Sequence, residues 1–345
     1  MHRLFCQAIL VVSLSTLLLS PPKALSWGNT GHEAVAYVAW QQMTPATRAR
    51  VIELLKQVPT LHNADNTKSI PGYAEWVANL PAGLTEDQKN LYLFMQAATW
   101  ADSIKHQWLK DSDTPPAGRT VEVHIGFTDT ESHGYWHFVD AGFASDGSAI
   151  PVTPVLNAAT QIVALRQFIS SDENDLLKAY DLVWLEHLTG DIHQPLHGSE
   201  RYFGGVGDAG GNTVAIKLTP VMEKEFEGTL SKSAPSELHA FWDDLPGEGQ
   251  PASALPVAIA FAQKLPQAAG NEVKDITPSD WAAESLAMAK KDAYAPPIGK
   301  SSKPATSGSS YLITTAYYNK AMNDAQSRVT LAGARLAKLL NENLK

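Results

Sequence analysis

The chain has 345 residues, of which 44% are hydrophobic and 18% charged, enough for a packed core, and its formal net charge is −9. No basic stripe offers a broad face to nucleic acid. Any positive charge that meets a phosphate must therefore be local, and bound divalent metals are the obvious supplier.

The first 26 residues read as a secretory signal: Arg3 gives a positive start, residues 8–20 are an apolar run, and Ala24-Leu25-Ser26 is a small-x-small cleavage site. The run is too short, and too soon followed by Pro21, Pro22 and Lys23, to read as a membrane span, and no later stretch reaches the length needed. Cleavage would make Trp27 the first residue and remove Cys6, the only cysteine. The exported chain would then have no disulfide, and it carries no Asn-x-Ser/Thr sequon. A bacterial secreted or periplasmic setting is expected.

In chain order, apolar residues recur near every 3.6 positions at 34–43, 48–58, 155–169, 176–188, 256–265, 282–293 and 311–340, which predicts a mainly α fold. Helix starts are expected at Thr44-Pro45, at Thr153-Pro154 and around Ser279, and Pro195 should end the segment that begins near Leu176. Residues 120–127 alternate like a short strand, and 201–218 carry five glycines before the extended run Thr213 to Ile216. Both are expected as hairpin or loop excursions over a helical body. Residues 246–254 and 296–309 are rich in Pro, Gly and Ser, but the helices beyond them have apolar faces that need partners. One domain over 27–345, without internal repeats, is expected.

The strongest local signal is His187-Leu-Thr-Gly-Asp191-Ile-His193-Gln-Pro-Leu-His197. His187 and Asp191 are one helical turn apart and project from one face, while Pro195 turns the chain so that His197 can reach a neighbouring site. His239 and Asp243 repeat the spacing, with Phe241 and Trp242 placed to anchor that turn by packing. One His-x-x-x-Asp pair could be a surface hydrogen bond. Two such pairs, together with Trp27, His32, Asp102, His137 and His197, supply more ligands than one ion can use. Five imidazoles with carboxylates suit zinc, with manganese and iron as alternatives, whereas calcium and magnesium favour oxygen donors. His2, His62, His106, His124 and His133 match no ligand position, and His193 points away from the His187/Asp191 face.

These residues resemble the nuclease S1/P1 family of zinc-dependent single-strand nucleases, which is similar in fold and metal site to the bacterial zinc phospholipases C; the likeness runs from Trp27 to about Asp243. It implies a helical bundle and three zinc ions. In that family the mature chain starts with a Trp whose α-amino nitrogen and carbonyl oxygen bind metal, joined by a His five positions on, here Trp27 and His32. By the same likeness Asp102, His137, His187 and Asp191 hold one zinc, Trp27, His32 and a bridging Asp191 a second, and His197, His239 and Asp243 the third. Two close zincs lower the pKa of a shared water, and the third stabilises charge on phosphate oxygens.

The resemblance further implies that Asp102 orients a metal-activated hydroxide and that Lys105 neutralises transition-state charge. Phe138 would stack on a base and Asp140 bind its edge. Asn212 lines the nucleoside pocket, which Phe203 or Tyr202 closes from the other side. Single-stranded DNA, RNA and nucleotides are the implied substrates, 5′-phosphates the implied products, with 3′-nucleotidase activity and a monomeric state. The likeness assigns no role to the loop at 106–135. Two alternatives stand beside this reading. A zinc phospholipase C would place its first His farther from the Trp and end its last pair with Glu rather than Asp243. A periplasmic zinc-binding protein would have exchangeable sites and no phosphodiesterase activity.

Overall fold

The computed structural model describes residues 27–105, 107, 109–110, 113–116, 118–119, 125–144, 146–229, 234–247, 251–268, 270–299 and 309–344. Its helices begin with α1 (Asn29–Gln42), α2 (Pro45–Leu55), α3 (Tyr73–Ala78), α4 (Glu86–Ala97), α5 (Trp100–Ser103) and α6 (Ala158–Ile169). They continue with α7 (Asp175–Asp191), α8 (Pro220–Thr229), α9 (Leu238–Asp244), α10 (Pro251–Ala262), α11 (Pro278–Met288) and α12 (Thr315–Asn343). Three 3-10 turns, at Gly126–Thr128, Gly134–His137 and Glu272–Lys274, and a π-helical turn at Ala289–Ala293 add to the helical part.

The strands are short. β1 (Leu61–His62) pairs antiparallel with β2 (Ser69–Ile70). β3 (Ala141–Ala144) lies parallel to β4 (Ser199–Phe203), which turns through Gly204-Gly205 into antiparallel β5 (Val206–Gly207). β6 (Ile216–Lys217) runs parallel to β7 (Tyr311–Leu312). The fold is mainly α, as the 3.6-residue periodicity predicts.

Why the helices start where they do follows from their caps. Thr44 accepts from the Thr47 amide with Pro45 in the first turn, as expected. Elsewhere the caps correct the expected boundaries. The helix expected from Thr153-Pro154 begins after Asn157, which forms a reciprocal capping box with Thr160. The one expected around Ser279 has Pro278 at its first position, after Thr277. Tyr311 lies in β7, and α12 starts only after the Thr314 cap. Of the strand expected at 120–127, residues 120–124 lie outside the described set, and Gly126–Thr128 is a 3-10 turn pinned by Phe127 packing edge-on against Trp100 and Tyr180, 5.5 and 5.3 Å between ring centres. The Pro/Gly/Ser-rich segment at 246–254 contains the start of α10 at Pro251.

Helices α3, α4 and α8 are not expected from the sequence. In α4 every residue but one from Leu91 to Ala97 is buried, because α1, α2, α3 and α10 all pack on it, so the apolar residues run together and hide the period. The core is centred on α1, which lies along α12 and touches α4, α7 and α10, and on α7, buried on every side from Lys178 to Asp191. A helix enclosed in that way should be apolar throughout; the polar residues of its last turns are therefore placed for something other than solvation. Among the described residues no helix is long and apolar enough to cross a membrane.

Gly333 of α12 marks where α1 comes closest. A Cβ there would lie 2.5 Å from Val38 Cβ and 2.7 Å from the Val35 carbonyl, and backbone cannot yield as a side-chain tip can. Gly333→Ala improves helix propensity by about 1 kcal/mol, but overpacking costs about 1–3 kcal/mol. The variant is expected to be less stable than wild type by about 1–2 kcal/mol in urea unfolding of the metal-free protein. A variant as stable as wild type would mean that α1 and α12 separate freely.

Candidate metal centre

The ligand candidates come from five elements: His32 from the first turn of α1, Asp102 from α5, His137 from the end of the 3-10 turn, His187 and Asp191 from the last turns of α7, and His239 and Asp243 from α9. His197 follows the turn after α7. All are buried except Asp102, which is half-buried.

Asp191 is the hub. Its Oδ1 lies 3.3 Å from His32 Nε2 and its Oδ2 lies 2.8 Å from His137 Nδ1 and 3.2 Å from His187 Nε2. His197 Nδ1 approaches Oδ1 from the other side at 3.7 Å. His32 and His187 stack, ring centres 3.8 Å apart. That approach needs Gly190, where a Cβ would fall 2.8 Å from His32 Nδ1.

The donor atoms form three groups that could each hold a metal ion: His32, His187 and Asp191; Asp102, His137 and His187; and His197, His239 and Asp243. The first two share His187, so they are neighbours. This arrangement brings together every side chain expected from the sequence as a ligand. Trp27 is fully buried beside them: its indole Nε1 donates to the Gly190 carbonyl at 3.0 Å, and the next residue, Gly28, donates its amide to the Asp243 carbonyl at 3.0 Å.

Protonation geometry provides the test of fit. His197 Nδ1 lies 2.9 Å from the His137 carbonyl and His239 Nδ1 lies 2.7 Å from the Gly210 carbonyl. A carbonyl only accepts, so both Nδ1 atoms carry hydrogen, and in the neutral rings both Nε2 atoms present lone pairs. Those lone pairs face each other at 3.2 Å, with Asp243 oxygens at 3.5 and 3.4 Å. His187 repeats the device, its Nδ1 held by the Ala98 carbonyl at 2.8 Å and its Nε2 facing Asp191 and Asp102. Acceptors converging on acceptors repel unless a cation lies between them, and a backbone carbonyl behind each imidazole is the usual support of a metal-bound histidine. The residues fit metal ions.

Electrostatics agree for three of the rings; burial would lower a fourth, His187, but the charges of Asp191 and Asp102 raise it. Burial, with the neighbouring His187, lowers the His32 imidazole to about 4. Burial, with the Lys105 charge, lowers His137 to about 3. Burial also depresses His197. These rings are neutral near pH 7, as ligands must be. Burial would raise the Asp102 and Asp191 carboxyls, but Lys105 and His187 hold Asp102, and His187 and His197 hold Asp191, well below the ordinary range. Lys105 Nζ sits 3.0 Å from Asp102 Oδ1, and the charges of Asp102 and Asp191 overcome burial to raise its pKa, so it stays cationic.

Among the expected substrate contacts, Phe138 lies against the third group and Lys105 against Asp102. The Phe138 ring packs 4.7 Å from His197 and 6.0 Å from His239. Asp140 follows in a left-handed conformation (φ 53°), and burial together with the charges of Glu200 and Asp113 raises its carboxyl to about 7. Phe203 ends β4 and is half-buried, while Tyr202 donates to Glu200 at 2.6 Å. Asn212 is buried and its amide donates to the Ala209 carbonyl, bracing the turn whose Gly210 carbonyl orients His239.

Other histidines separate as expected. His62 is exposed. His133 is buried, paired with Asp129 and Tyr135 and stacked on Trp136 at 3.9 Å. His193 faces away from Asp191 and meets Arg335 at 2.9 Å. His2, His106 and His124 lie outside the described residues, as do the expected signal at 1–26 and Cys6. Sequence reasoning missed Gln194, whose Nε2 donates to Asp243 Oδ1 at 2.8 Å, and the three carbonyls that orient the imidazoles. No local pattern signals a long-range backbone contact.

Comparison with known proteins leads to the same place. The family model described as S1/P1 Nuclease matches residues 27–345. Endonuclease 4 of Arabidopsis thaliana is 24% identical over 92% of this chain and 89% of its own length. Nuclease S1 of Aspergillus oryzae is 24% identical over 74% of this chain and 67% of its own, and Nuclease P1 of Penicillium citrinum 22% over 92% and 97%. The chain belongs to the S1/P1 nuclease family and is a hydrolase of nucleic-acid phosphodiester bonds.

Proposed function

We propose that the protein is a zinc-dependent endonuclease that cleaves single-stranded DNA and RNA to 5′-phosphorylated products and also removes the 3′-phosphate of nucleotides. The observation that carries this reading is the convergence of buried acceptor atoms on three points, above all the two Nε2 lone pairs of His197 and His239 facing each other at 3.2 Å. Trp27, His32, Asp102, His137, His187, Asp191, His197, His239 and Asp243 would hold three ions, and their imidazole-rich composition favours zinc. When bound, such ions supply Lewis-acid charge for phosphate oxygens and a water acidic enough to ionise near neutral pH.

The chain's own groups then divide the remaining work. Asp102, kept ionised by Lys105, accepts a hydrogen bond from the attacking water and aligns it. Lys105, buried and cationic, lends fixed charge to the non-bridging oxygens as negative charge builds. Phe138 offers a stacking face beside the third group, and Asp140, Asn212 and Phe203 complete a pocket for an unpaired base. A base in a duplex is stacked on both faces and cannot enter, which gives single-strand selectivity. Residues 27–345 act as one unit and as a monomer after export to the periplasm or medium, where removal of the signal frees the Trp27 amine.

Hydrolysis of single-stranded DNA, RNA, duplex DNA and phosphatidylcholine, measured together with zinc content, tests the whole reading. Single strands should be cleaved fastest, leaving 5′-phosphates, by protein holding three zinc ions; preferential action on the lipid would overturn it. Asp191→Asn removes the shared carboxylate charge and should lower activity by about two orders of magnitude or more and reduce bound zinc. Full activity and full metal content would sink the hub role. One extra residue before Trp27 turns its amine into an amide, a poor ligand, so zinc stoichiometry and activity should both fall; unchanged stoichiometry counts against Trp27 as a ligand.

Asp140 gives the pH dependence. With its carboxyl at about 7, the group is a neutral acid below that pH and a carboxylate, able to accept from the amino edge of a base, above it. KM for single-stranded oligonucleotides should therefore fall as pH rises through about 7, and Asp140→Asn should flatten that change while raising KM. A KM profile identical in the variant would remove Asp140 from base recognition.

A further inference from the structure

One short turn carries both halves of the metal centre. Residues 192–196 separate Asp191, the hub of the first two groups, from His197 of the third, so any movement of the turn at 192–194 displaces both. On its inner side Gln194 is tied to Asp243 at 2.8 Å. Its outer side is gripped by α11 and α12. The Ile192 carbonyl accepts from Ser285 Oγ at 2.6 Å and the His193 carbonyl from Arg328 Nε at 2.9 Å, across 135 residues of chain. Both carbonyls lie just past the end of α7, where the helix leaves acceptors unused. His193 Nδ1 lies 2.7 Å from the Thr189 carbonyl and so carries its hydrogen, which leaves Nε2 to accept from an Arg335 guanidinium N–H at 2.9 Å.

The two guanidinium groups are themselves fixed. Glu284 Oε2 accepts from Arg328 at 2.8 Å and from Arg335 at 2.7 Å, and its Oε1 accepts from Arg335 at 2.7 Å. The third Arg328 nitrogen donates to Ser285 Oγ at 2.9 Å, and Arg335 also donates to the Glu272 carbonyl and covers the Trp281 ring. The approach is close enough that a Cβ at Gly198 would lie 2.6 Å from Ser285 Cβ. Two arginines buried in a protein interior are a poor way to gain stability, since apolar residues of similar volume commonly serve as well. What a planar fork adds is direction: several donors held at fixed angles to one another.

We propose that Arg328, Arg335 and Glu284, acting through Ser285 and His193, are positioning residues that fix the 192–194 turn so that Asp191 and His197 face their metal ions. The inference rests on the metal-centre reading given above and assigns a role in it to the C-terminal helices, which contribute no ligand.

The test uses the full mature chain as wild type, Arg328→Lys, Arg335→Lys and, as a control for simple destabilisation, Val329→Ala, which opens a small cavity in α12. Each metal-free protein is checked by far-UV circular dichroism and unfolding, then titrated with Zn²⁺ alone in competition with a chelator. The lysine variants keep charge and stem but lose the fork. They should show wild-type spectra and a loss of zinc affinity of about tenfold or more, with kcat on single-stranded DNA reduced and KM little changed. Val329→Ala should lower the unfolding midpoint and leave zinc affinity as it was. Should a lysine variant fail to fold, Ser285→Ala, which deletes the bond to the Ile192 carbonyl, carries the same expectation. Wild-type zinc affinity in the folded lysine and Ser285→Ala proteins would overturn the positioning role while leaving the metal centre intact. A wild-type chain that binds no zinc would overturn the metal centre, and the positioning role with it.

Discussion

The structure is organised around one carboxylate that water cannot reach. Asp191 is fully buried with imidazoles of His32, His137, His187 and His197 within 3.7 Å of its oxygens. An ionised carboxylate in a protein interior is tolerated only where positive charge or hydrogen-bond donors surround it. Burial leaves three of those four rings with depressed pKa values, so they cannot all supply that charge as imidazolium. The polar interior is balanced when cations occupy it, which couples the packing of α1, α7 and the His137 turn to whatever fills the space between them.

That constraint explains features that would otherwise look unrelated. Each candidate ligand histidine needs one tautomer, and for His187, His197 and His239 the fold sets it with backbone carbonyls rather than side chains. Ala98 follows α4 as its C-cap, and His137 and Gly210 lie at the end of a 3-10 turn and in a glycine-rich turn. Such places leave carbonyls with acceptor capacity unspent by helix or sheet. The Gly-rich stretch before β6, which by sequence alone is a weak signal, thus has a definite structural role. Its Gly210 carbonyl sets the orientation of His239, and Asn212 holds the turn in shape.

How much of this was legible in the sequence depends on distance along the chain. The pairs His187/Asp191 and His239/Asp243 could be read because a helix of period 3.6 places i and i+4 together whatever the rest of the fold does. The helical class could be read for the same reason. Asp102 and His137 were recoverable only through resemblance, since their partners lie on other elements. Helix α4 was lost because enclosure on several sides removes the polar stripe that reveals a period. Arg328 and Arg335 were lost for a related reason: on a long C-terminal helix they resemble ordinary solvated positions, and only the tertiary fold buries them against Glu284. Propensity and periodicity describe an element, whereas burial of a charge describes what packs upon it.

The acidic balance of the chain has a related consequence. A formal charge of −9 repels a polyanion at long range, and the sequence carries no basic stripe to oppose it. On the reading proposed here, attraction is confined to the pit where metal ions and Lys105 reside, within about a Debye length of the scissile phosphate. Binding then gains little from length of nucleic acid and much from fitting one phosphate and one flipped-out base into a small site. A duplex, which can offer its phosphates but not its bases, gains only part of that contact. On that reading, single-strand selectivity follows from concentrating positive charge and the stacking face in one place on an otherwise acidic protein.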